Sequence, residues 1–469
     1  MTATAFPSYR SILALAGPII GLQLAQVALT STDLLMMGTL GVQAVAAGGL
    51  ALLLYNQLRT MCVGMVTGVG NQIAAAVGRG EKRSGSHTLD QQSVSEVQSI
   101  LRAAFAVATL SAIAGGLLLV GLGYGLRWLH QSPAVVNLTL PIMFTLAPGL
   151  LPMIWLNVLR QFAVGMRRAG SLLAVTLTSI GINILLNCLF IYGWFGLPTF
   201  GLAGIGLATT LVQLWTFLVY LRKVQRDEKL SALLTLEGWR AEGSEIRRIV
   251  RMGTPIALTY GSEAAITSIA TLLMGMFGPV MLAASNIVNQ LAYIVYQMNI
   301  GLSQGSSILV SRAVGRHEGD HIAPIARRSF TLSFGVMGLI GLLYLFIPQA
   351  VLWPFTHTHN TPELSATASV LLWFAIAHQF FKGSQNVCIG LLRGLGNTRA
   401  GLINTLAGYW VVGIPVMALC AFTTQWGGFG VWFGLCLGFA VTSILLWLSF
   451  LRELRQLQHP ENLTQQALK

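Results

Sequence analysis

Apolar runs long enough to cross a bilayer recur from one end of this chain to the other. A hydrocarbon layer about 30 Å thick takes a helix of about 20 residues at about 1.5 Å per residue. Twelve runs meet that need, at roughly 11–37, 44–76, 99–125, 134–159, 169–192, 201–222, 251–277, 281–313, 328–353, 364–391, 400–422 and 428–451. The pattern predicts an all-α integral membrane protein with twelve transmembrane helices. The first run begins near Ser11 and continues past Met36 with no small-residue cleavage site, so it reads as a span and not as a removed signal peptide.

Composition agrees with the pattern. Of 469 residues, 54% are hydrophobic and only 9% charged, about a third of the usual charged share of a soluble domain. Cys62, Cys188, Cys388, Cys420 and Cys436 all fall inside apolar runs and read as small core hydrophobes, with no disulfide framework implied. The net charge of +13 changes meaning once its placement is seen. Lys and Arg gather in alternate connections, as at Arg79, Lys82 and Arg83, from Arg222 to Arg251, and at Arg452 and Arg455. The opposite connections, such as 38–43, 193–200 and 356–363, have none. By the positive-inside rule both termini are cytoplasmic, and the setting expected is a bacterial-type inner membrane. The basic excess is a topology signal, and nucleic acid is excluded as a partner.

The chain also repeats itself. At a constant offset of 237, Pro18 falls on Pro255, Gly38 on Gly275, Gly64 on Gly301, and Ala76-Val77-Gly78-Arg79 on Ala313-Val314-Gly315-Arg316. Each half holds six spans, which predicts two pseudo-symmetric six-helix bundles with binding between them. The expected organisation is a first lobe over 1–222, a cytoplasmic linker over 223–250, a second lobe over 251–453 and a tail over 454–469. The polar equipment is not repeated. Glu263 falls on Gln26, and Asp33 on Ala270, so the lobes are expected to do different work.

Ionisable residues inside spans cost at least about 2.5–3.5 kcal/mol on insertion scales and mark candidate sites. Asp33 lies in the outer half of the first span, Asn187 and Thr209 reach similar depth on the fifth and sixth, and Asn183 shares a helix face with Asn187. Together they offer oxygens for a proton or a hard monovalent cation, although the amides and hydroxyl also suit plain interhelical hydrogen bonding. Glu263 is the only carboxylate between Met252 and Phe277. The tenth span offers it Lys382, with His378 and Gln385 on the same face. That pair is either static or a site that exchanges a proton. For Lys382 the plainer alternative is snorkelling, and for His378 a packing role. Arg59, deep in the second span, is a possible charge partner of Asp33.

The stretches AAAVGR and SRAVGRHEGD, INILLNCLFIYGWFGLPTFGLAGIGLATT, LLRGLGNTRAG, and GYWVVGIPV followed by GGFGVWFGL occur in this order and spacing. In them the chain resembles the multidrug and toxic compound extrusion (MATE) family, most closely its NorM-type branch. The resemblance covers essentially the whole chain. It implies alternating access and export of small organic, often cationic compounds against inward Na⁺ or H⁺, by a lipid-embedded monomer with no covalent cofactor. It also implies that Asp33, Asn183, Asn187 and Thr209 form the first-lobe cation site, and that Glu263 is the acid of the seventh helix. The branch's tenth-helix motif, Gln-x-x-Asp-x-x-Gln, reads Gln379-Phe-Phe-Lys382-Gly-Ser-Gln385 here. A lysine stands where a second acid is expected, and its ammonium takes the space and charge of an ion. Coupling is therefore expected at Asp33, with Glu263, Lys382, His378 and Gln385 serving substrate or proton exchange. Two alternatives are an exporter dedicated to one natural product or toxin precursor and a lipid-linked-oligosaccharide flippase, which would need a more cationic cavity. A membrane enzyme is not expected, since no HExxH, Ser/His/Asp set or nucleotide-binding loop is present.

Overall fold

The computed structural model describes residues 7–357 and 361–458. Among the described residues all regular structure is helical. The spans are α1 (Tyr9–Gly38), α2 (Gln43–Ser84), α3 (Gln91–Leu129), α4 (Pro133–Gly165), α5 (Leu172–Tyr192) and α6 (Ala203–Arg226) in the first half. In the second half they are α7 (Gly243–Gly275), α8 (Pro279–Gly315), α9 (Gly319–Phe346), α10 (Pro362–Gly394), α11 (Thr398–Thr423) and α12 (Gly428–Leu457). Eleven of them are long and apolar enough to cross a membrane on length and composition alone. The exception, α8, has 37 residues and falls short only in apolarity. Its Ser285, Gln297, Asn299, Ser303 and Ser306 are buried, against neighbours that include α10. A helix shielded from lipid needs no apolar surface all round.

Helix ends follow local chemistry. Asp90 caps α3 by accepting from the Ser93 N–H at 3.0 Å, and Ser132, Thr361 and Asn397 cap α4, α10 and α11 in the same way. Arg83 donates from Nε to Asp90 Oδ2 at 2.8 Å and also reaches Oδ1 at 3.2 Å. That pairing, with the cap bond from Ser93, holds the Asp90 carboxyl well below the usual carboxylate range. After α6, Asp227 turns the chain. Burial pushes its carboxyl up, but the bond from Arg168 Nε and those from the Leu230 and Lys229 N–H groups leave it net below the usual range. The segment after α6 is thus tied down, with Leu230 and Leu233 buried.

The described residues form two compact units, one from Gly21 to Gly261, the other from the residues up to Ile20 and from Ser262 onward. Both boundaries fall inside helices, in α1 and α7, so each of these helices gives its first stretch to one unit and its remainder to the other. Glycine makes the close crossings. In the first unit a Cβ on Gly64 of α2 would lie 2.6 Å from Ala257 Cα of α7. In the second a Cβ on Gly301 of α8 would lie 2.8 Å from Ile20 Cα of α1. The offset of 237 relates Gly64 to Gly301 and Ile20 to Ala257, so the repeat is present as two equivalent helix crossings.

Candidate functional site

In the first unit, Asp33 of α1 meets α5 and α6. Asn183 and Asn187 are one turn apart on α5, so their amides stack on one face, and both donate to Asp33 Oδ1, at 3.0 and 2.9 Å. Thr209 Oγ1 of α6 lies 3.3 Å from Asp33 Oδ2. Its single hydrogen has a nearer acceptor in Ile205 O at 2.9 Å, which leaves Oδ2 the less satisfied carboxylate oxygen. Asn187 Oδ1 is buried with no donor at all. A carboxylate oxygen and an amide oxygen, both short of donors, suit a proton or a small cation. Beside them is a cavity of about 40 Å³ lined by Asp33, Tyr55, Asn56, Arg59, Thr209 and Gln213 among others, enough for a water or an ion. The four residues expected to meet here do meet. Arg59 is different. It shares the cavity wall with Asp33 but makes no ion pair with it within 4 Å among the described residues.

In the second unit, Glu263 of α7 is buried at 7% exposure. Tyr296 of α8 donates to its Oε2 at 2.6 Å, and Gln385 Nε2 of α10 lies 3.4 Å from Oε1. Lys382 Nζ, also buried, is 3.8 Å from Oε1 and donates to Tyr409 OH of α11 at 2.7 Å. Gln385 Nε2 donates to the same hydroxyl. Lys382 does not snorkel. It lies 5.2 and 4.5 Å from the ring centroids of Tyr296 and Phe439 and meets Tyr409 at its hydroxyl edge. His378 is buried but makes no bond to Glu263. Its ring packs edge-on to Phe439 at 4.8 Å and against Trp432 at 5.8 Å, and Nδ1 has no partner. Tyr296, Tyr409 and Phe439 were not legible as site residues, because an aromatic residue in an apolar span looks like packing. Tyr409 is placed by a π-helical stretch, Leu406–Gly413, that shifts the register of α11.

Comparison with known proteins accounts for the double architecture. The family described as MatE matches residues 18–189 and 255–419, two segments that start on the repeat-related prolines Pro18 and Pro255. The chain belongs to the MATE family. A "Probable multidrug resistance protein NorM" of Pseudomonas aeruginosa is similar to it at 35% identity over 458 residues, covering 96% of this MATE chain and 90% of that protein. One of the same name from Brucella suis is 31% identical, covering 94% and 92%. Among solved structures, a MOP superfamily transporter from Pyrococcus furiosus has a TM-score of 0.83 at 18% identity, covering 97% of both chains. The eukaryotic MATE transporter AtDTX14 has a TM-score of 0.80, also at 18% identity, covering 97% and 98%. These likenesses give the MATE protein its fold, twelve transmembrane helices in two pseudo-symmetric bundles.

Proposed function

We propose that this MATE protein is an antiporter that exports organic, often cationic compounds from the cytoplasm against an inward gradient of Na⁺ or H⁺. The observation that carries the reading is Asp33, an intramembrane carboxylate held by amide donors with no cationic side chain within ion-pair distance among the described residues. A bare negative charge at that depth is costly, so the site favours a proton or a monovalent cation. A carboxylate whose occupancy differs between two lobe arrangements links ion entry to substrate exit, because each ligand favours the arrangement that binds it better. Asp33, Asn183, Asn187 and Thr209 are the coupling residues in this proposal. Glu263, Lys382 and Gln385 serve substrate or proton exchange, and His378 packs beside them.

The relatives' name, multidrug resistance protein, supports a broad organic substrate range. The lobes are taken as 1–222 and 251–453, joined on the cytoplasmic side of the inner membrane, in a monomer that is not an enzyme. Lys382, at a position where the branch carries an acid, favours a second reading, an exporter dedicated to one natural product; a biosynthetic cluster beside its gene would support that version. The test is efflux of an organic cation in inverted vesicles under imposed Na⁺ or H⁺ gradients. Wild type is expected to respond to one of them and Asp33→Asn to neither. Full gradient-driven transport by Asp33→Asn overturns the proposal.

A further inference from the structure

The offset of 237 that relates the two halves places Gln26 on Glu263 and Arg59 on Tyr296. In the second unit those positions hold a carboxylate and a phenol that donates to it at 2.6 Å. In the first unit they hold an uncharged amide and a guanidinium, and both line the cavity beside Asp33. The polarity of the pair is reversed. Arg59 also lacks what an intramembrane cation needs. Among the described residues its guanidinium makes no ion pair and no hydrogen bond, although a charge in a span is costly without a partner. Arg160 of α4 comes close enough to act on it electrostatically, and Arg160 Nε is buried with no partner. The rest of the wall has donors to spare, since the side-chain amides of Gln26, Asn56 and Gln213 make no hydrogen bond among the described residues. Asp33 is the one acid among the lining residues, and Asn183 and Asn187 already donate to it.

We propose that Arg59 is the anion-recognising residue of the first-unit cavity, and that the exported compounds include zwitterions whose carboxylate docks on it. The inference rests on the export of organic compounds proposed above and adds a substrate class to it. A guanidinium presents its N–H groups as a planar fork that meets the two oxygens of a carboxylate with parallel hydrogen bonds. A compound that carries only positive charge meets Arg59 as a like charge. A zwitterion brings Arg59 the counter-charge that the protein does not supply, and the unengaged amides offer its oxygens further donors. The cavity, at about 40 Å³, has room for the carboxylate head and leaves the body of the compound outside it.

The test uses full-length protein in detergent and two dyes that share one cationic ring system. Rhodamine 110 carries a free carboxylate and is a zwitterion, whereas rhodamine 123 is its methyl ester and is a cation. Binding is read by fluorescence polarisation. Arg59→Gln is expected to weaken rhodamine 110 roughly tenfold, the scale of a lost hydrogen-bonded charge pair, and to leave rhodamine 123 unchanged or tighter. Equal losses for the two dyes, or no loss for rhodamine 110, overturn the proposal. So does a wild-type protein that does not bind rhodamine 110. Arg59→Lys keeps the charge without the fork, and it carries the test should Arg59→Gln not fold. Weaker rhodamine 110 binding with rhodamine 123 held supports the docking, and unchanged binding of both counts against it. No gradient is applied, so failure here leaves Asp33-driven antiport standing, and a failed antiport assay leaves the dye result standing.

Discussion

Asn187 Nδ2 donates to Asp33 Oδ1 at 2.9 Å across 154 residues of chain, while its own Oδ1 is buried without a donor. One end of the amide is fixed by the carboxylate, so the other end is presented as a free acceptor. Asn187→Leu removes both at once. A hydrogen bond to a charged group is worth about 1.5–3 kcal/mol, and a loss of that order in thermal stability is expected. Cation-driven efflux should fall more than roughly tenfold, since 1.4 kcal/mol of lost cation affinity is already a factor of ten. Vesicle assays and melting curves on the same variant read both effects. Normal coupling in Asn187→Leu places the cation elsewhere.

The two repeat-related crossings give a packing prediction. At Gly64 an added methyl would come within 2.8 Å of the Ala257 backbone nitrogen, and at Gly301 within 2.8 Å of that of Ile20. Backbone cannot swing aside as a flexible side chain can, so each Gly→Ala change forces a helix shift costing about 1–3 kcal/mol. Gly17, Gly181 and Gly335 have open space where a Cβ would go. Alanine there should leave the melting temperature unchanged or slightly raised, because it lowers the freedom of the unfolded chain. A series of five single variants separates the classes, and equal effects at all five would show that the crossings are not tight.

Much of this was legible in the sequence, and the residues show why. Span positions follow from apolar length, and the paired crossings are prefigured by the repeat of Gly64 at Gly301. Asp33, Asn183, Asn187 and Thr209 stand out because polar groups are rare and costly at that depth. The aromatic surroundings of Lys382 were not legible, since Tyr296, Tyr409 and Phe439 lie on three different helices and each alone reads as packing in an apolar span. Tyr409 depends further on the π-helical turns at Leu406–Gly413, which no simple 3.6-residue pattern announces. The division of α1 and α7 between units was equally hidden, because apolar length says where a helix runs and not what it packs against.

Outside the membrane, Asp90 supplies a pH dependence. Its carboxyl is held below the ordinary value of about 3.9 by Arg83 and the cap bond from Ser93. A lowered folded-state pKa means that the stabilisation is complete above the ordinary value and is lost as pH falls towards the folded one. Asp90→Asn still caps α3 but cannot titrate. Its melting temperature should sit slightly below wild type at neutral pH and fall less between about pH 5 and pH 3. Parallel acid limbs in the two proteins would remove Asp90 from the account.

Lys382→Asp tests what the lysine replaces. In wild type the ammonium and Glu263, 3.8 Å apart, leave the buried cluster neutral. With aspartate there, two carboxylates face each other and neither has a counter-charge. Breaking a buried pair typically costs about 3–5 kcal/mol, so the variant should be markedly less stable in a buffer free of Na⁺, Rb⁺ and amines. A monovalent metal ion could then enter between the two acids, with Gln385 Oε1, which lacks a donor, as a further oxygen ligand. Stabilisation by a ligand at one hundred times its Kd is about 2.7 kcal/mol. Adding NaCl or RbCl should therefore recover most of the lost melting temperature in Lys382→Asp and none in Lys382→Met, which has only one acid. If both variants respond alike to Na⁺ and Rb⁺, the position is not one where an ammonium stands in for an ion.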